Sequence, residues 1–180
     1  MYGTVPHVNT PRLRLRPVIL DDAPFVRELF NDPACLRFIG DKHIHSLADA
    51  RQYIQQGPQR MYQRFQFGLL VMEQHVDPHA IGICGLLQRD YLACPDLGFA
   101  LLPAYRNQGF VYEAAQEVLK DAFARLQLRR IAALTSVENV ASIAVLQKLG
   151  MQTAGRVVVD GQQQASLLHY IDAEQATITP

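Results

Sequence analysis

Residues 96–115 read Asp96-Leu97-Gly98-Phe99-Ala100-Leu101-Leu102-Pro103-Ala104-Tyr105-Arg106-Asn107-Gln108-Gly109-Phe110-Val111-Tyr112-Glu113-Ala114-Ala115. The first seven are strand-like, with Pro95 before them and Pro103 behind, and proline marks strand ends because it cannot donate to a ladder. From Asn107 to Leu126 two interleaved apolar series follow, Phe110/Ala114/Val118/Ala122/Leu126 and Val111/Ala115/Leu119/Phe123. That spacing predicts a long helix with one broad buried stripe. A strand that turns tightly into a helix leaves several backbone N–H groups unpaired at the positive end of the helix dipole, which makes an anion site. Gly109 lets an anion approach the backbone with no side chain in the way, and Arg106 can add charge-assisted hydrogen bonds. Alone, such a junction is generic: every helix has this end, and a glycine beside an arginine is common in turns.

On the N-terminal side, Arg12-Leu13-Arg14-Leu15-Arg16 alternates with period two and stops at Pro17, as a strand with a buried and a solvated face does. Asp21-Asp22 cap a short helix carrying Phe25, Val26, Leu29 and Phe30, which ends near Asn31-Asp32-Pro33. A second helix starts at Ser46, and Gly57-Pro58 breaks it or closes its first part. Phe65 to Glu73 and Ala80 to Gln88 form an antiparallel hairpin around His75–His79. On the C-terminal side, Arg129 to Thr135 is a strand and Asn139 to Leu149 a short helix stopped by Gly150. Met151 to Asp160 and Gln164 to Asp172 are a final strand pair turning at Asp160-Gly161. The order predicts an α/β (α+β) fold, a mixed, mostly antiparallel sheet of about seven strands with helices on both faces.

The chain has 180 residues, 49% of them hydrophobic, which suits one domain spanning residues 1–180. Its 17 basic and 17 acidic residues cancel, so no strong overall field draws it to nucleic acid or an anionic membrane. Cys35, Cys84 and Cys94 are odd in number and read as reduced, buried thiols. The N-terminus has no leader pattern, and no apolar run approaches the roughly 20 residues that span a bilayer. A cytoplasmic protein is expected.

The junction resembles the acyl-CoA signature of the GNAT N-acetyltransferases, with Arg106, Gly109 and Val111 in its three diagnostic places and Glu113-Ala114-Ala115 after them. This last feature is similar to the RimJ/RimL ribosomal-protein acetyltransferase branch. Asn107 stands where a second glycine is frequent, and Val111 replaces a small residue. Thr10 to Pro17, Asp21-Asp22, Ile81-Gly82 with Gly85-Leu86, Glu138 to Ser142, and Lys148 to Met151 resemble the same branch in the same order, across nearly the whole chain. The resemblance implies a fold whose fourth and fifth strands splay to admit pantetheine. It implies acetyl-CoA as co-substrate, held by Phe99, Ala100, Leu101, Leu102, Arg106, Asn107, Gln108, Gly109, Phe110, Val111, Asn139 and Ser142, with no metal. The acceptor is then a primary amine, a protein N-terminus or a small molecule, acetylated by direct transfer in a ternary complex, by a monomer or a homodimer. The competing expectation is a catalytically silent acyl-CoA-binding sensor or interaction module. A phosphoryl-transfer site lacks the Lys-Ser/Thr that should follow the glycine turn.

An amine attacks a thioester only when neutral, so a base helps. Asp96, at the place of an acid common in the family, is the candidate, against an ordinary turn carboxylate. The thiolate leaving group gains from a hydroxyl donor. Many relatives place a tyrosine where this chain has Leu146, so Ser142 takes that role by resemblance, with Asn139 binding the cofactor amides. Both residues also suit simple helix capping. His43 and His45 form a His-x-His pair for which no acidic or cysteine partner is apparent in sequence, so no metal is expected there. Cys84 and Cys94 lack the setting that lowers a thiol pKa, and Tyr105 either stacks on the cofactor or packs.

Overall fold

The computed structural model describes residues 7–158 and 165–175. Its strands are β1 (Val8–Asn9), β2 (Leu13–Pro17), β3 (Leu69–Gln74), β4 (Ala80–Leu87), β5 (Asp96–Leu101), β6 (Arg130–Ser136), β7 (Gln152–Val157) and β8 (Ser166–Asp172). Its helices are α1 (Ala23–Phe30), α2 (Pro33–Phe38), α3 (Leu47–Ile54), α4 (Arg60–Phe65), α5 (Phe110–Ala124) and α6 (Val140–Lys148). The strands make one sheet in the order β1-β2-β3-β4-β5-β6-β8-β7. Every pairing is antiparallel except β5 with β6.

The period-two pattern splits the core. Leu69 and Val71 pack with Val26, Leu29 and Ile54 of α1 and α3, while Leu70 and Met72 join Phe110, Ala114 and Val118 of α5 and Leu146 of α6 on the other face. Helices therefore cover both faces, as the element order predicts. The sheet has eight strands against about seven expected, the extra one being β1, whose two residues are too short to leave a pattern.

One strand bound needs correction, and three readings gain detail. The strand placed at Phe65 starts at Leu69, because Phe65 ends α4 and Gln66 caps it in the left-handed region at φ 60. Of the two readings of Gly57-Pro58, closure of a first helical part holds: α3 stops at Ile54, and Gln55–Gln59 forms a π turn that carries the chain into α4. A widened turn tolerates the hydrogen bond that proline cannot make. Asn31-Asp32-Pro33 is both a stop and a start, since Asp32 caps α2 by accepting the N–H groups of Ala34 and Cys35 with Pro33 at its first position. The arginines of β2 are likewise not one solvated comb. Arg14 is exposed, but Arg16 is largely covered and bonds Asp22 through both Nη atoms at 2.8 Å and Glu73 at 2.7 Å. The expected turn at Asp160-Gly161 lies outside the described residues. Among those residues no helix is long and apolar enough to cross a membrane.

Candidate active site

β5 and β6 meet at one register pair, Asp96 with Ala132, where the Ala132 N–H donates to Pro95 O at 2.9 Å. Beyond it they part. β5 is held on its far edge by six pairs to β4, and β6 on its far edge by seven pairs to β8, so each side of the fork is fixed by its outer neighbour. Between them opens a cavity of about 850 Å³. Its walls are β5, the end of β6, the start of α5, and α6, with α1, α2 and α3 contributing Phe30, Phe38 and Tyr53. The inner edge of β5 from Leu97 to Leu101 has no strand beside it, and of its backbone groups Leu101 O is taken by Arg106.

β5 leads into the quoted junction. Pro103–Tyr105 makes a single 3-10 turn, with the Tyr105 N–H on Leu102 O at 3.1 Å. Asn107 and Gly109 then take left-handed backbone angles, φ 61 and φ 80. Asparagine tolerates that region better than other side chains, which explains how Asn107 fills a glycine's place. The first bond into α5 runs from the Glu113 N–H to Gly109 O at 3.1 Å, and Gly109 supplies no side-chain cap. The N–H groups of Phe110, Val111 and Tyr112 thus have no intrahelical acceptor. Phe110 and Val111 themselves are buried. Val111, the other departure, is absorbed by the core.

The two arginines of this corner hold the loop. Arg106 donates to Leu101 O at 2.9 Å and pairs with Asp32, the cap of α2. Arg12 donates from Nη1 to Gln108 O at 3.0 Å and from Nε to Glu113 at 2.6 Å, and its guanidinium lies 4.5 Å from the Phe110 ring centroid. Burial opposes ionisation of Glu113, but bonds from the Thr10 hydroxyl and the Arg12 backbone and side chain hold its carboxyl below the usual range.

Asp96 is buried where the fork closes, with Arg89 Nε 2.9 and 3.0 Å from its two oxygens. Burial pushes its pKa up, and the Arg89 charge opposes the rise. Across the cavity the Asn139 side-chain oxygen accepts the Ser142 N–H at 3.1 Å, so Asn139 does cap α6, and both residues line the cavity. Leu146 is fully buried.

Of the site residues expected from sequence, Asp96, Phe99, Ala100, Leu101, Arg106, Asn107, Gly109, Phe110, Val111, Asn139 and Ser142 line this cavity. Leu102 and Gln108 do not: the Leu102 N–H is bonded to Ile81 O, and the Gln108 amide folds back onto Ala104 O. Tyr105 packs against the core. Sequence reasoning missed Arg89, Lys42, Tyr53 and Phe30, which also line the cavity. Arg89 had one available signal, the β4–β5 hairpin that brings it across from Asp96. Burial raises the Cys35 thiol to about 11 and the Cys84 thiol to about 12, so neither is an activated nucleophile. The ground for dismissing His43 and His45 also changes, because Asp41 lies 3.4 Å from His43 Nδ1 and 3.7 Å from His45 Nε2, all three exposed.

Residues 12–152 match the family model described as an acetyltransferase (GNAT) domain. The uncharacterized N-acetyltransferase YnaD of Bacillus subtilis is 27% identical over 149 residues, covering 83% of this chain and 84% of that relative. The uncharacterized N-acetyltransferase p20 of Bacillus licheniformis is 30% identical over 149 residues, covering 81% and 82%. The structure of ribosomal-protein-S5-alanine acetyltransferase from Vibrio fischeri superposes with a TM-score of 0.78 at 16% identity, over 95% of this chain and 98% of that one. With the splayed strands and the uncapped helix start in place, the match settles the assignment: the chain belongs to the GNAT family of N-acetyltransferases.

Proposed function

We propose that the fork between β5 and β6 binds acetyl-CoA and that the chain passes its acetyl group to a primary amine by direct attack in a ternary complex. One observation carries the reading: beyond the Asp96–Ala132 pair the inner edge of β5 has no strand beside it, and the loop that follows leads to the open N-terminus of α5. Six extended residues span roughly 17 Å between their ends, at about 3.3 Å each, a length suited to an extended pantetheine arm.

The diphosphate is held at the first N–H groups of α5, with Asn107 and Gly109 bending the backbone so that those groups converge. Arg106 positions that loop through Asp32 and Leu101. Pantetheine amides pair with the backbone of Phe99 to Leu101 and with the amide nitrogen of Asn139, whose oxygen is committed to its cap. The amine nitrogen attacks the thioester carbon, and a β5 N–H stabilises the oxyanion. The carbon–sulfur bond then breaks. Ser142 hands its hydroxyl proton to the departing thiolate and takes back, through water, the proton that the amine has given to Asp96, so that in balance the amine's proton ends on the thiol. No metal enters these steps. The three free cysteines suit a reducing compartment such as the cytoplasm.

Mixing protein, acetyl-CoA and a panel of amines while following thiol release, with calorimetry for binding, tests the reading. Turnover is expected. Binding without turnover on any amine would identify a silent acyl-CoA module instead, and no binding would sink both.

A further inference from the structure

At the Asp96 end of the cavity, away from the α5 N-terminus, the walls are aromatic and the charges are positive. Phe30 and Tyr53 meet edge to face with ring centroids 5.1 Å apart, and Phe38 also lines the cavity. Lys42 and Arg89 are the cations of this end, and Asp96 is the one carboxylate among the described residues lining the cavity. Both Asp96 oxygens already face Arg89 Nε, and Arg89 Nη1 donates to Tyr91 at 2.8 Å. Once that pair is subtracted, Lys42 is left as an uncompensated positive charge. Among the described residues no carboxylate lies within ion-pair distance of its ammonium, and its chain neighbour Asp41 faces His43 and His45. Partial desolvation chiefly, and the like charge of Arg89 in addition, lower the Lys42 pKa. An anion entering between them relieves that repulsion, whereas a polyamine adds to it.

We infer that the acceptor is a small primary amine that also carries an anionic group, a carboxylate or a phosphate, bound by Lys42 and the free edge of the Arg89 guanidinium, with its apolar body against Phe30, Phe38 and Tyr53. This rests on the acetyl-transfer reading. Anchoring the anion leaves the amine to attack the thioester; the new nitrogen–carbon bond replaces the carbon–sulfur bond, and the proton lost by nitrogen ends on the CoA thiol. The anionic group leaves unchanged on the amide product.

Matched substrates isolate the anion. Phenylalanine and phenethylamine differ by one carboxylate, 2-aminoethyl phosphate and ethanolamine by one phosphate, and spermidine supplies extra positive charge. Thiol release is expected to be faster for the anionic member of at least one pair, and that pair names the anion. Lys42→Gln, at an exposed position, should lower the anionic-over-neutral ratio of kcat/KM about tenfold, the worth of one charge-assisted hydrogen bond. Lys42→Glu should turn the preference toward spermidine. A neutral amine or spermidine preferred by the unmodified protein, or a ratio that Lys42→Gln leaves unchanged, overturns the inference while acetyl transfer stands. If acetyl-CoA binds but none of the five amines releases thiol, the acceptor class is overturned, and the acetyl-transfer reading falls with it only when the wider amine panel is silent too.

Discussion

Asp96 lies buried where β5 and β6 part, with Arg89 across both its oxygens, so Asp96→Asn has two separable effects. Leaving Arg89 without its anion should destabilise the fold by roughly 2–3 kcal/mol, less than for a fully buried pair because about a third of Arg89 remains in solvent. If Asp96 is the base, the acid limb of kcat/KM should lie above the ordinary aspartate value of 3.8, since burial raises its pKa, and it should vanish in the variant. A limb that survives would assign Asp96 to structure alone. Ser142→Ala should lower kcat on the order of 100-fold with little change in acetyl-CoA affinity, as expected for loss of a proton donor; equal rates would remove Ser142 from the mechanism. Asp96, Asn139, Ser142 and Gly109 are legible in the sequence because each stands at a fixed offset in a short local motif. Lys42 is not, and Arg89 is only through the hairpin that sets it near Asp96. Their charges meet because that hairpin and a distant loop converge on one cavity, and nothing local in the sequence records the part of the loop.

At the scale of elements, the start of α5 is fastened to the N-terminal strand pair by Glu113. Its carboxylate accepts from the Thr10 hydroxyl at 2.5 Å, the Arg12 N–H at 2.8 Å and Arg12 Nε at 2.6 Å. The folded pKa is depressed, so the folded state binds its proton less tightly than the unfolded chain. The associated stability is present above the unfolded value near 4.5 and is lost as pH falls through the lower folded value. Glu113→Gln should lower the melting temperature at pH 7 and flatten its decline in acid; a melting profile parallel to the unmodified protein's would show that the clamp carries nothing. α5 is legible because fifteen residues repeat one stripe. α2 is hidden because Asp32-Pro33 serves two helices at once, closing one turn and capping the next. The role of Asp32 grows from the same spot, since its carboxylate also receives Arg106 and so ties α2 to the loop that leads into α5.

For the whole molecule, alternation along the strands predicts a mostly antiparallel sheet covered on both faces, and residue periodicity is enough to say so. The fork is a different matter. It exists because β4 and β8 hold their partners apart, a consequence of strand order that only the family resemblance, not any periodicity, brings within reach of the sequence. Arg16 illustrates the same limit: alternation points it away from the apolar face, yet Asp22 and Glu73 arrive from other elements to cover it. The central claim, that acetyl-CoA lies in this fork with its diphosphate on the α5 N-terminus, is most directly tested by calorimetric titration of acetyl-CoA into the unmodified protein and into Gly109→Glu. A carboxylate there stands against the diphosphate at a left-handed position. The account predicts saturable binding to the first protein and affinity weakened at least about tenfold in the folded variant, a loss of ~1.4 kcal/mol or more. Equal affinity in a variant whose circular dichroism shows it folded would contradict it.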